Sequence, residues 1–232
     1  MEIIEIDGLE FRVIRSQRRT LCIRIADDGA AEILAPRKTG KKEICDIVKP
    51  YMGKLMKQRE QKLKSLEASA SFVLTYGSEV RFLGSKRTVR EGVKDRIGYD
   101  QSSFFVPAGL GGKEMRDAVV QVYKLAAKDY LKVRVAELSA LLGLEVKAVK
   151  INSATSHWAS CSRKDTLNFS WFSIMAAPDT VDYLIIHELC HMYEFNHSKR
   201  FWELVSEYCP EHKNHRAKLK ALWREIECEN WK

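Results

Sequence analysis

The chain has 232 residues, 45% of them hydrophobic and 30% charged, with a net charge of +8. That balance excludes a disordered or fibrous chain and leaves room for one large domain or two small ones, each with a real core. No apolar run approaches the ~20 residues that cross a membrane, and the opening MEIIEIDGLEFRVIR lacks the charged lead and apolar run of a secretory signal, so a cytoplasmic, non-membrane protein is expected.

Residues 1–36 alternate in the strand manner, with Leu21, Ile23 and Ile25 on one face and Asp28-Gly29 marking a hairpin before AEILAP. From Thr39 to about Glu67 the apolar spacing turns helical, placing Ile44, Ile47, Val48, Tyr51, Met52 and Leu55 on one stripe. Pro50 falls inside that pattern and is expected to kink or split the helix. The run KLMKQREQKLK (54–64) reads as an exposed helix face. Strand composition returns in SFVLTYGSEVRFLGSKRTVREG and SSFFVP. The glycine-rich PAGLGGK (107–113) then suggests a boundary between a β-rich basic region with one kinked helix (1–108) and a second domain (109–232). A long helix is predicted over 114–142, with Gly143 as its stop. Short strands follow in LEVKAVKI, SHWAS and TLNFSWF, and helices over about 179–194, 199–208 and 211–228. The fold class expected is therefore α+β.

Six scattered cysteines (Cys22, Cys45, Cys161, Cys190, Cys209 and Cys228) form no CxxC pair, so free thiols are expected. Charge is uneven: residues 1–110 hold 21 Lys+Arg against 15 Asp+Glu, a net of +6, and residues 111–232 hold 18 against 16, a net of +2. A basic half can attract phosphate, or can be a solvated lysine-rich surface.

Chemistry concentrates in VDYLIIHELCHMYEFNHSKRFW (181–202), because five of the six histidines lie between residues 187 and 215. His187, Glu188 and His191 fit H-E-x-x-H. Residues four apart on an α-helix are about 40° out of phase, so both imidazoles face one point, as two ligands of one metal must. Glu188 lies roughly 100° round from His187, badly placed as a ligand but well placed as a base toward metal-activated water. His197 follows six residues after His191. On a continued helix it would point about 240° away and lie roughly 9 Å further on, so the chain must bend. Asn196 is the residue expected to take the left-handed conformation there, with Ser198 as the next N-cap and Phe201, Trp202, Val205 and Tyr208 facing inward. The competing reading is a pair of core histidines hydrogen-bonded to backbone. Three neutral imidazoles with an open position suit a catalytic zinc ion, although manganese or cobalt can occupy the same ligands.

These residues also carry a resemblance. SHWASCSRKDTLNFSW, then PDTVDYLIIHELCH and NHSKRFW, resembles the YgjP-like family of zinc metallopeptidases, relatives of the SprT-like and WLM proteases. The match falls on Trp158, Ser160, Cys161, Ser162, Asn168, Pro178, the three histidines, Phe201 and Trp202. It is strong over residues 112–232, while RSQRRTLCIRI and FLGSKRTV are similar in a less specific way. Ala159 stands where the family has glycine, and His157 where it has arginine. Glu194 replaces the metzincin glycine, which separates the chain from that group. The resemblance implies a zincin-like C-terminal domain: a backing helix and an active-site helix over a small twisted sheet, with an edge strand along the cleft. SHWASCS would then border the cleft, an extended peptide would pair with the edge strand, and Trp158 would wall a pocket or simply fill core.

The expected function is zinc-dependent hydrolysis of a peptide or protein, with Glu188 as general base. His157, Cys161, His215 and Arg216 are candidates for lining the cleft or stabilising an oxyanion; solvated surface is the competing reading for His157, His215 and Arg216. Cys190 reads as a small packing residue. Two other functions use the same residues. A nucleoside triphosphate such as UTP could be the substrate, as zinc hydroxide also attacks phosphoanhydrides, although no G-x-x-x-x-G-K-[ST] is present. The basic half could instead bring a protease to nucleic acid, although no RRM, KH or helix-turn-helix signature appears.

Overall fold

The computed structural model describes residues 2–93 and 96–231. The alternating start of the chain forms strands β1 (Glu2–Ile6), β2 (Leu9–Ser16), β3 (Cys22–Ile25) and β4 (Ala31–Pro36) in the order β1-β2-β4-β3. β2 and β4 pair in parallel, the other neighbours antiparallel. Asp28-Gly29 closes the β3–β4 hairpin as the sequence predicts, and the Asp28 carboxylate accepts the Ala30 N–H at 3.0 Å. After β4 come α1 (Lys41–Val48), a 3-10 turn (Lys49–Tyr51) and α2 (Met52–Ser71). Pro50 lies in that turn because it has no N–H to continue α1 and its ring crowds the preceding carbonyl. Phe11, Ile33 and Ala35 of the sheet meet Ile44 and Val48 of α1 in a core that admits no solvent at these positions.

The chain forms two compact units, one running to Phe72 with Glu225–Asn230, the other Val73–Arg224 with Trp231. The division comes before PAGLGGK, which lies within the second unit. That unit holds two sheets. One is ordered β5-β6-β8-β7, from β5 (Glu79–Phe82), β6 (Ser85–Glu91), β7 (Gly98–Tyr99) and β8 (Ser103–Val106). The other is ordered β10-β11-β9, from β9 (Ala148–Asn152), β10 (Ala159–Cys161) and β11 (Thr166–Ser170), which leaves β10 at an edge.

Helix α3 (Gly112–Leu141) is the spine of this unit. Its fully buried stripe, Met115, Val119, Val122, Tyr123, Ala126 and Leu131, packs toward β8, β9, the 3-10 segment Trp171–Met175 and α4 (Pro178–Cys190). It stops where the sequence predicts. Gly143 has φ 66° and donates its N–H to the Ala140 carbonyl, while Leu144 N–H reaches Ser139. That double bond pattern needs a left-handed residue at the glycine. α5 (Lys199–Tyr208) and α6 (His212–Ile226, in this unit as far as Arg224) complete a mixed α+β fold.

Two contacts fix α4, the helix that carries H-E-x-x-H. Arg134 of α3 grips Asp182 with two parallel bonds, Nε to Oδ1 at 2.6 Å and Nη2 to Oδ2 at 2.8 Å. The β5–β6 turn also sits against the helix start: a Cβ on Gly84, at φ 73°, would come within 3.0 Å of Ala177 Cβ and 3.1 Å of its Cα. Leu83, beside it in the turn, donates its N–H to the Ile174 carbonyl at 2.7 Å. No helix among the described residues is long and apolar enough to cross a membrane.

Candidate metal centre and its cleft

The VDYLII run buries α4 as expected: Val181, Tyr183, Leu184, Ile185, Ile186, Leu189 and Cys190 are all buried. His187 lies in the last turn and His191 is the C-cap residue. The helix thus ends sooner than the sequence suggests, and this corrects the expectation for Asn196. Among described non-glycine residues only Asp7, Leu83 and Asp165 have positive φ. Because the helix has already ended at His191, the change of direction is spread over Met192–His197 and no single residue need turn left-handed. Ser198 caps α5 as predicted, its Oγ accepting the Phe201 N–H at 3.3 Å.

The result is that one nitrogen from each of His187, His191 and His197 lies within 4.8 Å of the others. Nε2 of His187 and Nε2 of His197 are 3.1 Å apart. Two imidazole nitrogens on one tetrahedral zinc, each at about 2.0–2.1 Å, would be separated by roughly 3.3 Å. Phe201, fully buried, is the common floor: its ring centroid is 4.9 Å from His187, 4.4 Å from His191 and 4.8 Å from His197. Trp202 stacks on His197 at 5.6 Å and 20°.

The ring nitrogens fit a metal better than a hydrogen-bonded core. His191 Nδ1 lies 3.0 Å from the Glu194 carbonyl and donates to it, which leaves the Nε2 lone pair for a ligand. Nδ1 of His187 is buried with no hydrogen-bond partner among the described residues, so nothing in the backbone holds that ring as a core histidine. Burial drives the His187 pKa down to about 3, with His191, His197 and Arg216 adding like-charge repulsion. His197 is lowered too, first by burial and then by His191 and Arg216. Both imidazoles are neutral at pH 7, the form a metal requires.

Glu188 is only 4% exposed, and burial raises its pKa to about 8 against the opposing pull of the Cys161 N–H, which donates to its carboxylate. It belongs to a cleft of about 530 Å³, lined by Ser156–Ala159 on one side and by Arg216, Lys220, Trp223 and Arg224 on the other, with His187 and Glu188 between. Trp158 lies in this wall, edge-on to Trp223 with ring centres 4.7 Å apart. His157 is exposed on the rim, its Nδ1 2.9 Å from Ser156 Oγ. Cys161 is half-buried, and burial pushes its thiol up to about 11, so it is not a thiolate at neutral pH.

The two candidates from α6 part company. Arg216 borders the cleft, its guanidinium over the Trp202 ring at 4.7 Å. His215 is buried instead, with Nδ1 3.1 Å from Thr180 Oγ1 and its ring stacked on Tyr183 at 5.7 Å. Sequence reasoning missed Lys220, Trp223 and Arg224. Their signal was present, since Arg216, Lys220 and Arg224 repeat every four residues and so share one helix face.

Among curated proteins none matches this sequence. One solved structure, the metallopeptidase zymogen of Pyrococcus abyssi abylysin, aligns at 23% identity and a TM-score of 0.37, over 39% of this chain and 92% of that one. A likeness that slight carries no argument. The family described as YgjP-like, metallopeptidase domain, matches residues 19–222, and with nearly all of its length accounted for the chain belongs to that family.

Proposed function

We propose that the chain is a zinc-dependent peptidase of zincin type, with His187, His191 and His197 as the metal ligands and Glu188 as the group that moves the proton. The observation that carries this reading is the position of Glu188. It is buried, it follows the ligand His187 on α4, and the two line the same cleft beside Ala159 of the edge strand. In this reading α3 is the backing helix, α4 the active-site helix, and β10 the edge against which an extended substrate lies.

A divalent ion on the three imidazoles would supply Lewis acidity and an acidified water. With that positive charge beside it Glu188 would ionise below its raised metal-free value of about 8, and as a carboxylate it takes the proton of the attacking water and returns it to the departing nitrogen. Arg216, steadied on Trp202, is the cation in the cleft that faces the imidazoles and would meet the charge growing on the carbonyl oxygen. The test is to strip the protein with a chelator, return one equivalent of zinc, and follow cleavage of an unstructured protein such as casein. Cleavage that disappears and returns with the metal supports the reading; a zinc-loaded protein that cuts no peptide would remove it.

One observation favours a second reading. Arg216, Lys220 and Arg224 make the cleft wall cationic, which would also suit the phosphates of a nucleoside triphosphate. Release of phosphate or pyrophosphate in the same reconstitution experiment decides between the two.

A further inference from the structure

We propose that Lys220 and Arg224 form a specificity wall for peptides carrying acidic side chains at alternate positions, beginning about two residues from the bond that is cut. This rests on the peptidase reading and deepens it.

The two walls of the cleft run alongside one another. At one end Arg216 sits over the Trp202 ring, which lies 5.8 Å from His187, and α4 packs against β10, where Cys161 comes near Glu188. At the other end Trp158 meets Trp223 at 4.7 Å. The direction Cys161 to Trp158 along β10 is therefore the direction Arg216 to Arg224 along α6.

On the strand side, β10 is the edge of its sheet and Ala159 lines the cleft. Ser162 N–H bonds to Thr166 and Ser170 N–H to the Trp158 carbonyl, at 3.0 and 2.8 Å, so residues 158 and 162 turn their backbone toward β11. Antiparallel pairs alternate, which turns the N–H and C=O of Ala159 to the open edge. A peptide added there is extended, and its side chains on one face recur about every 6.6–6.8 Å.

On the helix side, cations recur every four residues, or about 6 Å along the axis. The two repeats match to within a side chain's reach. With Arg216 at the scissile carbonyl, Lys220 falls near the second residue away and Arg224 near the fourth. The charge is not spent internally at Lys220: among the described residues no carboxylate pairs with it and Glu188 alone of the acids lines the cleft. Lys218, about 200° round the helix from Lys220, shows the contrast, since it is tied to Asp179 at 2.9 Å.

The test uses zinc-loaded Glu188→Gln protein, so that peptides are held and not cut. Fluorescence anisotropy compares three labelled peptides that differ only at alternate positions: Glu, Gln or Lys. The Glu peptide should bind roughly fivefold to twentyfold tighter than the Gln peptide at low salt and lose that advantage as salt rises. Adding Lys220→Glu, an exposed change checked for fold by circular dichroism, should erase the preference and favour the Lys peptide. Equal binding of Glu and Gln peptides, or a preference that survives Lys220→Glu, would overturn the proposal. So would displacement of the labelled Glu peptide by inorganic tripolyphosphate at lower concentration than by the unlabelled peptide, which would assign the wall to phosphate. If the Glu peptide binds as expected but the wild type does not cut it, the wall stands and the peptidase reading falls.

Discussion

His187 and His197 belong to different segments, one in the last turn of α4 and the other just ahead of the α5 N-cap, yet their Nε2 atoms are 3.1 Å apart. At that distance one ring can donate N–H to the other, or both can turn lone pairs to one cation; a His191 nitrogen within 4.8 Å of both makes the group one that could hold a metal. Replacing His197 with Ala should weaken zinc binding by more than the ~10–100-fold typical of losing a ligand's supporting partner. The far-ultraviolet spectrum should be unchanged, because Phe201 and Ser198 still fix α5. Competition against a fluorescent chelator measures it.

The metal-free protein should be most stable between about pH 4.5 and 6.5. His187 has its folded pKa depressed to about 3, so stability present above its unfolded value near 6.5 is lost as pH falls toward 3. Glu188 has its folded pKa raised to about 8, so stability present below its unfolded value near 4.5 is lost as pH rises toward 8. Glu188→Gln should remove the alkaline limb and turn the plateau between pH 4.5 and 6.5 into a continued rise, leaving the acid limb below pH 4.5 in place. Urea midpoints across pH would show it.

Arg134 holds Asp182 through two bonds, and that hydrogen bonding raises its pKa further. Both side chains are partly solvated, so screening limits the pair's worth. Arg134→Met should cost about 1 kcal/mol of stability and leave activity per folded molecule unchanged. Thermal melts beside specific activity test both halves.

Gly84→Ala should be worse than its size suggests. The residue has positive φ, and a Cβ there meets the Cβ and Cα of Ala177, neither of them the end of a flexible side chain. A loss of about 1–2 kcal/mol is expected from the strained conformation together with the displaced start of α4. Unlike Arg134→Met, this change should also lower activity, because α4 carries His187 and Glu188.

Helical phase made the pairing of His187 with His191 legible in the sequence, and the wrong phase of His197 made a bend necessary. How the chain bends was not legible. A residue's φ depends on where the helix stops, and α4 stops at His191, so Asn196 need not be left-handed. The Cys161 bond to Glu188 was equally hidden, since it joins residues 27 apart through a strand edge whose free side no local pattern reveals. The parallel β2–β4 pairing was hidden for the same reason. In α6 the four-residue repeat was visible but ambiguous: a cationic face reads as solvated surface until something is placed opposite it.

The role of Glu188 is tested most directly by comparing Glu188→Gln with the wild type for bound metal and for peptide cleavage, on the same preparations. One zinc per chain is expected in both proteins, with a loss of cleavage of at least about a hundredfold in the variant, in keeping with a group that moves the proton. Metal lost together with activity would contradict it, by making Glu188 a ligand or a structural support; so would a variant that keeps both.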